Sequence, residues 1–564
     1  MSLLEQHFDV AFAAPDGIKK LRELILTLAM QGKLVPQDPN DEPASELLRS
    51  IELEKQRLVK EGKIKKSKPL PKIQSEEVPY DLPNGWEWTR LNDALDVRDG
   101  THDTPKYVDV GYPLITSKNL YTGMLSFEDV KFISEEDHIK ISERSKVNIG
   151  DILFAMIGSI GNPVIVNCNE EFSIKNVALL KFYIADKPDN RYLHYFLAQA
   201  QENMKAQSSG AVQSFVSLGF LRNYLLPLPP LAEQRRIVAK IDQLMARCDE
   251  LEKLRIDRSQ RLLTVHTAAL DRLLTAKDSS EFSTAWSFIT QQFGELYSVK
   301  ENVVELRKTI LQLAVMGKLV PQDPNDEPAS ELLRSIELEK QRLVKEGKIK
   351  QSKPLPEIDR EEIPYELPNG WELVRFGELA TEIATGPFGL TIHKSDYVEN
   401  GIPLINPIHM INGEIVHDPT VTVTNEKASQ MESYRLFDGD IVMARRGEMG
   451  RCAIVTNHSN RWLCGTGSFV LRFIPNINRS YIIILFKSQG VKDYLGGNSV
   501  GTTMTNLNHG ILNKMPIMLP SIAEQRRIVE KIDRLMGMCD RLEESIKAGK
   551  GKQTDLLNAL MSQV

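Results

Sequence analysis

Cysteine is scarce in this chain: there are five in 564 residues, and none form a Cys-x-x-Cys pair. That excludes a disulfide framework and a zinc site of paired cysteines, and it fits a reducing compartment. Long apolar runs are also missing. No stretch approaches the roughly 20 residues of a membrane span. The opening MSLLEQHFDV lacks the basic-then-apolar pattern of a signal peptide, so a cytoplasmic location is expected. Positive charge is not in excess, since the net charge is −6 at pH 7. Residues 81–230 hold 14 Lys and Arg against 19 Asp and Glu, and residues 366–520 hold 13 against 14. Any nucleic-acid partner must therefore meet a local patch, or a complex in which other subunits supply the positive charge.

Catalytic signatures are absent as well. There is no GxxxxGK[ST] phosphate loop, no HExxH and no GxSxG. The Asn-Pro-Pro-Tyr/Phe tetrapeptide of an amino-methyltransferase is missing, because Asn162-Pro163 is followed by Val164. Glu61-Gly62-Lys63 imitates a nuclease ExK, but it stands at a helix end and recurs as Glu346-Gly347-Lys348 without an acidic strand partner. The ten histidines form no spaced cluster.

What the chain does have is itself, twice. Residues 32–65, GKLVPQDPNDEPASELLRSIELEKQRLVKEGKIK, return letter for letter at 317–350, 285 positions later. The same offset carries Leu82-Pro83-Asn84-Gly85-Trp86-Glu87 onto Leu367-Pro368-Asn369-Gly370-Trp371-Glu372. Ala232-Glu233-Gln234-Arg235-Arg236-Ile237-Val238 returns as Ala523-Glu524-Gln525-Arg526-Arg527-Ile528-Val529. Between these matches the copies diverge, keeping only a framework: Gly150-Asp151-Ile152 matches Gly439-Asp440-Ile441, and Gly158 and Gly161 match Gly447 and Gly450. Constant parts present one surface twice, while variable parts do two different jobs.

Length and composition suit a soluble protein of about three or four domains. Each copy opens on a helix, with Leu21, Leu24, Ile25 and Leu28 on one face. A Pro/Asp/Asn-rich loop leads to a charged helix, about Ala44 to Glu61, which Gly62 ends. Short β-branched runs such as Asp151-Ile152-Leu153-Phe154 and Asp440-Ile441-Val442-Met443 make the variable segments α+β. Each copy closes on a long helix with a heptad seam: Ile237, Ile241, Leu244, Cys248, Leu251, then Leu262, Val265 and Ala269 in the first, and Ile528, Ile532, Leu535, Cys539, Leu542 and Ile546 in the second. About 40 helical residues span roughly 60 Å. Two such seams in one chain suit each other, and rotational pseudo-symmetry between the copies makes them antiparallel; the alternative is that each helix packs on its own domain. The expected organisation is a helical region at 1–80, a variable domain at 81–230, a central helix at 231–280, a repeated helical region at 281–365, a second variable domain at 366–520 and a closing helix at 521–564.

These motifs resemble the specificity subunit of type I restriction–modification systems. The resemblance is carried by Leu228-Pro229-Pro230-Leu231-Ala232-Glu233-Gln234-Arg235-Arg236-Ile237 and Leu519-Pro520-Ser521-Ile522-Ala523-Glu524-Gln525-Arg526-Arg527-Ile528, with the Leu-Pro-Asn-Gly-Trp-Glu entry and the Gly-Asp-Ile…Gly…Gly pattern. It covers essentially the whole chain. It implies two target-recognition domains held apart by an antiparallel two-helix coiled-coil spacer, each reading one half of a split, asymmetric double-stranded DNA target. It also implies a non-catalytic role beside two modification subunits, which use S-adenosylmethionine, and restriction subunits, which use ATP and Mg. One departure stands out. The family often has a basic residue before the first glycine of the Gly…Gly turn; the second copy has Arg445-Arg446-Gly447, but the first has Met156-Ile157-Gly158.

On this reading the candidate DNA contacts are polar turn residues. In the first domain they are Thr101, His102, Lys106, Lys118, Asn119, Gln213 and Ser214; in the second, Lys394, Arg445, Arg446, Arg451, Thr502, Thr503, Thr505 and Asn506. Arg and Lys pair with guanine O6/N7 and Asn and Gln with adenine N6/N7, while Lys and Thr also fix register on phosphates. Glu233, Gln234, Arg235 and Arg236, with Glu524, Gln525, Arg526 and Arg527, are assigned to the modification-subunit interface. Two other readings compete. A single-chain restriction–modification enzyme needs catalytic motifs that are missing, and a scaffold without a DNA role leaves the divergence of the variable domains unexplained.

Overall fold

A computed structural model describes the chain except for residues 1–2, 67–68, 122, 186, 208–214, 352, 360–361, 364–365, 388–390, 499–506 and 563–564. It divides into two units, residues 1–256 with 549–564, and residues 257–548. Helices of eight or more residues are numbered below.

In the first unit α1 (Leu3–Phe12), α2 (Gly17–Met30) and α3 (Ala44–Lys60) precede the variable domain. Strand β1 (Glu87–Arg90) enters that domain and β10 (Leu225–Leu228) leaves it; they pair antiparallel, Glu87 opposite Leu228. Between them β2 (Asp96–Asp99), β6 (Ile152–Ala155), β7 (Gly161–Ile165) and β9 (Val177–Lys181) form one sheet in the order β2-β9-β6-β7. A second sheet, β3-β5-β4-β8, is built from Tyr107–Val108, Lys131–Ile133, Tyr112–Ile115 and Ser173–Ile174, with β4 and β8 parallel. Helices α4 (Glu135–Ser145) and α5 (Asn190–Ala206) complete the domain.

All four β6 residues are buried because the strand is covered on both faces. Ile152 and Phe154, with Ala178 and Leu180, join a core shared with Ile25, Ala29, Tyr192 and Phe196 of the helices. The alternate residues Leu153 and Ala155, with Val177 and Leu179, pack against Ile115 and Ile174 of the smaller sheet. The period of two thus sorts one strand between two cores. The result is three layers, helices, sheet and sheet.

The second unit repeats the plan. Helix α6 (Leu231–Thr275) belongs to the first unit as far as residue 256 and to the second beyond it, and is followed by α7 (Ser279–Gln291), α8 (Lys300–Val315) and α9 (Ala329–Lys345). The entry–exit pair is β11 (Glu372–Arg375) with β22 (Pro516–Leu519). The larger sheet is β12-β21-β18-β19 (Glu382–Thr385, Ser468–Arg472, Ile441–Ala444, Cys452–Ile454), and the smaller is β13-β17-β14-β20 (Tyr397–Val398, Thr422–Val423, Ile402–Ile405, Leu463–Cys464). One hairpin, β15 (Met410–Ile411) with β16 (Glu414–Ile415), is particular to this copy among the described residues; Asn412 and Gly413 turn it at φ 55° and 94°. Helices α10 (Arg479–Lys487) and α11 (Gln489–Asn498) follow, and then α12 (Ile522–Met561), which belongs to this unit as far as residue 548 and to the first unit beyond it. The identical blocks fold identically, down to Arg57 pairing with Glu54 and Glu61 as Arg342 pairs with Glu339 and Glu346.

The buried heptad positions find partners inside their own units. Ile237, Ile241 and Cys248 share the core of Ile25 and Ala29, and Arg22 of α2 bridges Asp249 and Glu252 at 2.6 and 2.8 Å. Ile528, Ile532 and Cys539 share a core with Ile310 and Leu313. Two expected seam residues depart from the pattern: Leu251 is 48% exposed and Val265 43%. Against a straight neighbour, a 3.5-residue pattern drifts by about 20° per heptad, so Leu251, two heptads after Ile237, has rotated off the packed stripe.

Candidate nucleic-acid interface

The three constant motifs meet at one junction in each unit. Trp86 Nε1 donates to Glu233 Oε2 at 3.0 Å, and Gln37 Nε2 to Glu233 Oε1 at 3.2 Å. Arg236 closes on Asp41 at 2.6 and 3.2 Å. In the second unit Trp371 and Gln322 donate to Glu524 at 2.8 and 3.3 Å, and Arg527 grips Asp326 at 2.6 and 3.0 Å. Gly32 lies at φ 67° with its Cβ position 2.3 Å from Pro83 Cγ, and Gly317 repeats this at 69° and 2.4 Å against Pro368, so no side chain fits at either. Burial pushes the Glu233 and Glu524 carboxyls up, and their Trp and Gln donors oppose the shift.

This geometry corrects the expected partner surface. Glu233, Gln234, Glu524 and Gln525 are buried. Gln234 accepts from Asp189 N and donates to Pro229 O, both at 2.8 Å; Gln525 accepts from Asn478 N and donates to Pro520 O. They hold the long helix to the domain, and a partner does not reach them. Arg236 and Arg527 are tied to aspartates, which leaves Arg235 and Arg526 as the exposed members of the motif.

The variable loops gather at one end of each pair of sheets. In the first domain the segments after β2, β4 and β6 and the β8–β9 turn all lie there. Their backbones interlock: Gly100 N donates to Val177 O, Thr101 N to Ile174 O and Lys175 N to Ile115 O. Thr101, His102 and Lys118 belong to this end, the last two exposed; Lys106, also exposed, directly precedes β3. His102 sets Nε2 2.8 Å from Asp99 Oδ2 and Nδ1 3.1 Å from Asn176 Oδ1, and Arg144 also bonds the buried Asp99. Asn119 is a correction. It is 5% exposed; its Oδ1 accepts from Thr116 N and Oγ1, and its Nδ2 donates to Ser126 O and Glu128 O. Both ends of its amide are used inside the loop, so none is left for a base.

The second domain builds the same end differently. Arg445 N donates to Gly467 O at 2.8 Å, and its Nε donates to Leu507 O at 3.2 Å. Its guanidinium lies 5.1 Å from the Phe469 ring centroid. It is half-buried, whereas Arg446 and Lys394 are exposed. Arg451 bonds Glu448 at 2.8 and 3.1 Å, so a phosphate must compete with that carboxylate. Gln213, Ser214, Thr502, Thr503, Thr505 and Asn506 lie outside the described residues. Lys131, Lys175 and Asn176, which the sequence reading passed over, line the same cleft as Lys118. Asn176 there adopts the left-handed conformation at φ 57°. Among the described residues no cluster of His, Cys, Asp or Glu could hold a metal ion, and no helix is long and apolar enough to cross a membrane.

The type I restriction modification DNA specificity domain matches twice, at residues 83–258 and 368–549, over more than half the chain. The chain belongs to the type I restriction–modification specificity family. The specificity subunit of the Escherichia coli type I restriction enzyme EcoAI is 38% identical over 96% of this chain and 93% of its own. That of EcoEI, also from Escherichia coli, is 34% identical over the same shares. A crystal structure of the HsdS subunit from Thermoanaerobacter tengcongensis covers 86% of this chain and 98% of its own, at 18% identity and a TM-score of 0.40. The chain is thus a non-catalytic specificity subunit with two tandem recognition domains, and the two loop-bearing ends are the surfaces in which those domains differ.

Proposed function

We propose that each recognition domain reads one half of a bipartite, asymmetric DNA target, and that the chain scaffolds two modification subunits and the restriction subunits. The observation that carries this reading is a contrast within one chain. The junctions of Trp86 with Glu233 and of Trp371 with Glu524 are the same, while the loop ends differ in charge and shape. Repeated constant surfaces, with Arg235 and Arg526 exposed on each, suit two copies of one partner. Divergent loop ends suit two different half-sites. S-adenosylmethionine then belongs to the modification subunits, and ATP and Mg to the restriction subunits. The two long helices serve as the spacer.

Methylome sequencing of a host expressing this chain with its modification partner tests the reading. The expected result is one methylated motif with two unlike halves around a fixed gap of unread bases. A continuous motif, or two identical halves, contradicts it.

A further inference from the structure

At equivalent positions the two recognition domains place their positive charge differently: lysines of the first match uncharged residues of the second, and arginines of the second match apolar residues of the first. Backbone hydrogen bonds fix the correspondence. Lys175 N donates to Ile115 O at 2.9 Å as Gly465 N does to Ile405 O, and Val216 N donates to Met156 O as Leu507 N does to Arg445 O. Asn119 caps Thr116 N as His409 caps Asn406 N. In β5, Phe132 faces Pro113 as Thr422 of β17 faces Pro403. Position by position, Lys118, Lys131 and Lys175 of the first domain therefore match Ile408, Val421 and Gly465 of the second. At the glycine turn the exchange is reversed, and Met156 and Ile157 match Arg445 and Arg446.

In the first domain the three lysines line a cleft of about 490 Å³, whose other wall is the Ile157-Gly158-Ser159 turn. Asp129 is the one carboxylate in the lining, so three positive charges face one negative. Lys131 Nζ sits 4.2 Å from the Tyr107 ring centroid, and Lys175 Nζ bonds Thr104 Oγ1. Both partners are neutral, and among the described residues none of the three lysines forms an ion pair. A lysine ammonium is a compact point charge, and three of them converging on one cleft suit phosphate oxygens, whereas the rigid arginine fork matches guanine O6/N7 with two parallel bonds. Ile408, at the position of Lys118, is 72% exposed. An apolar side chain there offers nothing to a phosphate but fits a thymine methyl group.

We propose that the first domain seats a backbone phosphate of the DNA in the Lys118–Lys131–Lys175 cleft, and that the second domain meets base edges at the equivalent place with Arg446, Arg445 and Ile408. This rests on the DNA-reading function proposed above. It also explains how a domain of net negative charge holds a polyanion: the positive potential is concentrated in one cleft.

The test uses the full chain in complex with its modification subunits. The probes are duplexes carrying the methylated motif, the motif with its first half scrambled, and the motif with its second half scrambled. Binding is followed from roughly 50 to 200 mM salt. The triple variant Lys118→Gln, Lys131→Gln, Lys175→Gln should lower the slope of log affinity against log salt by about 0.9, the value for one lost phosphate contact. It should weaken all three duplexes by the same factor. Arg445→Ala with Arg446→Ala should instead shrink the preference for the intact second half by roughly 10-fold or more. The charge-keeping triple Lys→Arg variant should retain the slope. A lysine-to-glutamine variant with an unchanged slope overturns the inference, as does one that loses only first-half preference, and so does a Lys→Arg variant that loses the slope. A wild-type complex that cannot tell the motif from either scrambled duplex overturns the DNA-reading function itself, which separates the two failures.

Discussion

At each unit's junction one carboxylate, Glu233 or Glu524, is held where water barely reaches. Burial raises Glu233 above the usual carboxylate range, with the Trp86 and Gln37 N–H donors pulling it back, and Glu524 is raised in the same way. The folded-state pKa then exceeds the unfolded one, so the folded chain binds more protons between the two values. Stability therefore falls as pH rises from the ordinary carboxylate range to the raised one, and levels off above it. Glu233→Gln with Glu524→Gln keeps an amide oxygen to accept each Trp N–H and removes the ionisation. Denaturant unfolding at pH values from about 4 to about 8 should show a flatter profile for this variant than for the natural chain; superimposable profiles would refute the assignment. Trp86→Phe leaves the Glu233 carboxylate one donor short and should cost about 1–3 kcal/mol in the same measurement.

The entry and exit strands make each recognition domain a separable element. Trp86, just before β1, and Pro227 of β10 stand at the same end of the antiparallel β1–β10 ribbon, where Trp88 is opposite Pro227. Replacing the segment between them with the corresponding segment of another specificity subunit should change one half of the methylated motif and leave the other intact. Changes in both halves would end the modular picture. Much of this was legible in the sequence, because the duplicated motifs are themselves the parts that lock together: Gln37 and Asp41 from the constant block, Trp86 from the entry, and Glu233 and Arg236 from the exit. The helices α2, α3 and α6 follow from local periodicity and stop signals. The loop cleft did not, because its lysines come from three separate segments. Lys175 reaches Lys118 through the parallel pairing of β4 with β8, and Lys131 through β5 alongside β4. Register between distant strands leaves no local pattern. Asn119 was misread for a related reason, since a polar turn residue that reads bases and one that caps its own loop have the same local signature.

For the whole molecule, the long helices set a length. The 45 residues of α6 and the 40 of α12 rise about 1.5 Å each. Removing matched heptads, Ile241–Arg247 with Ile532–Met538, shortens both by about 10 Å, or about three base pairs of DNA at about 3.4 Å each, while keeping the 3-4 pattern. On the reading that these helices are the spacer, the variant should lose methylation at the natural motif and favour one with fewer unread bases between its halves. Methylome sequencing decides it, and unchanged spacing would show that the helices are not the ruler.

The identical blocks also bear on how such a gene changes. A crossover between the stretches encoding residues 32–65 and 317–350 deletes 285 residues and leaves the reading unbroken. The product joins Gln37 and Asp41 of the first copy to Trp371, Glu524 and Arg527 of the second. Every bond of the junction still has its partner, because Gln322 and Asp326 occupied the same places. Recombination at this repeat thus discards one recognition domain and delivers the other onto a seat that already fits it.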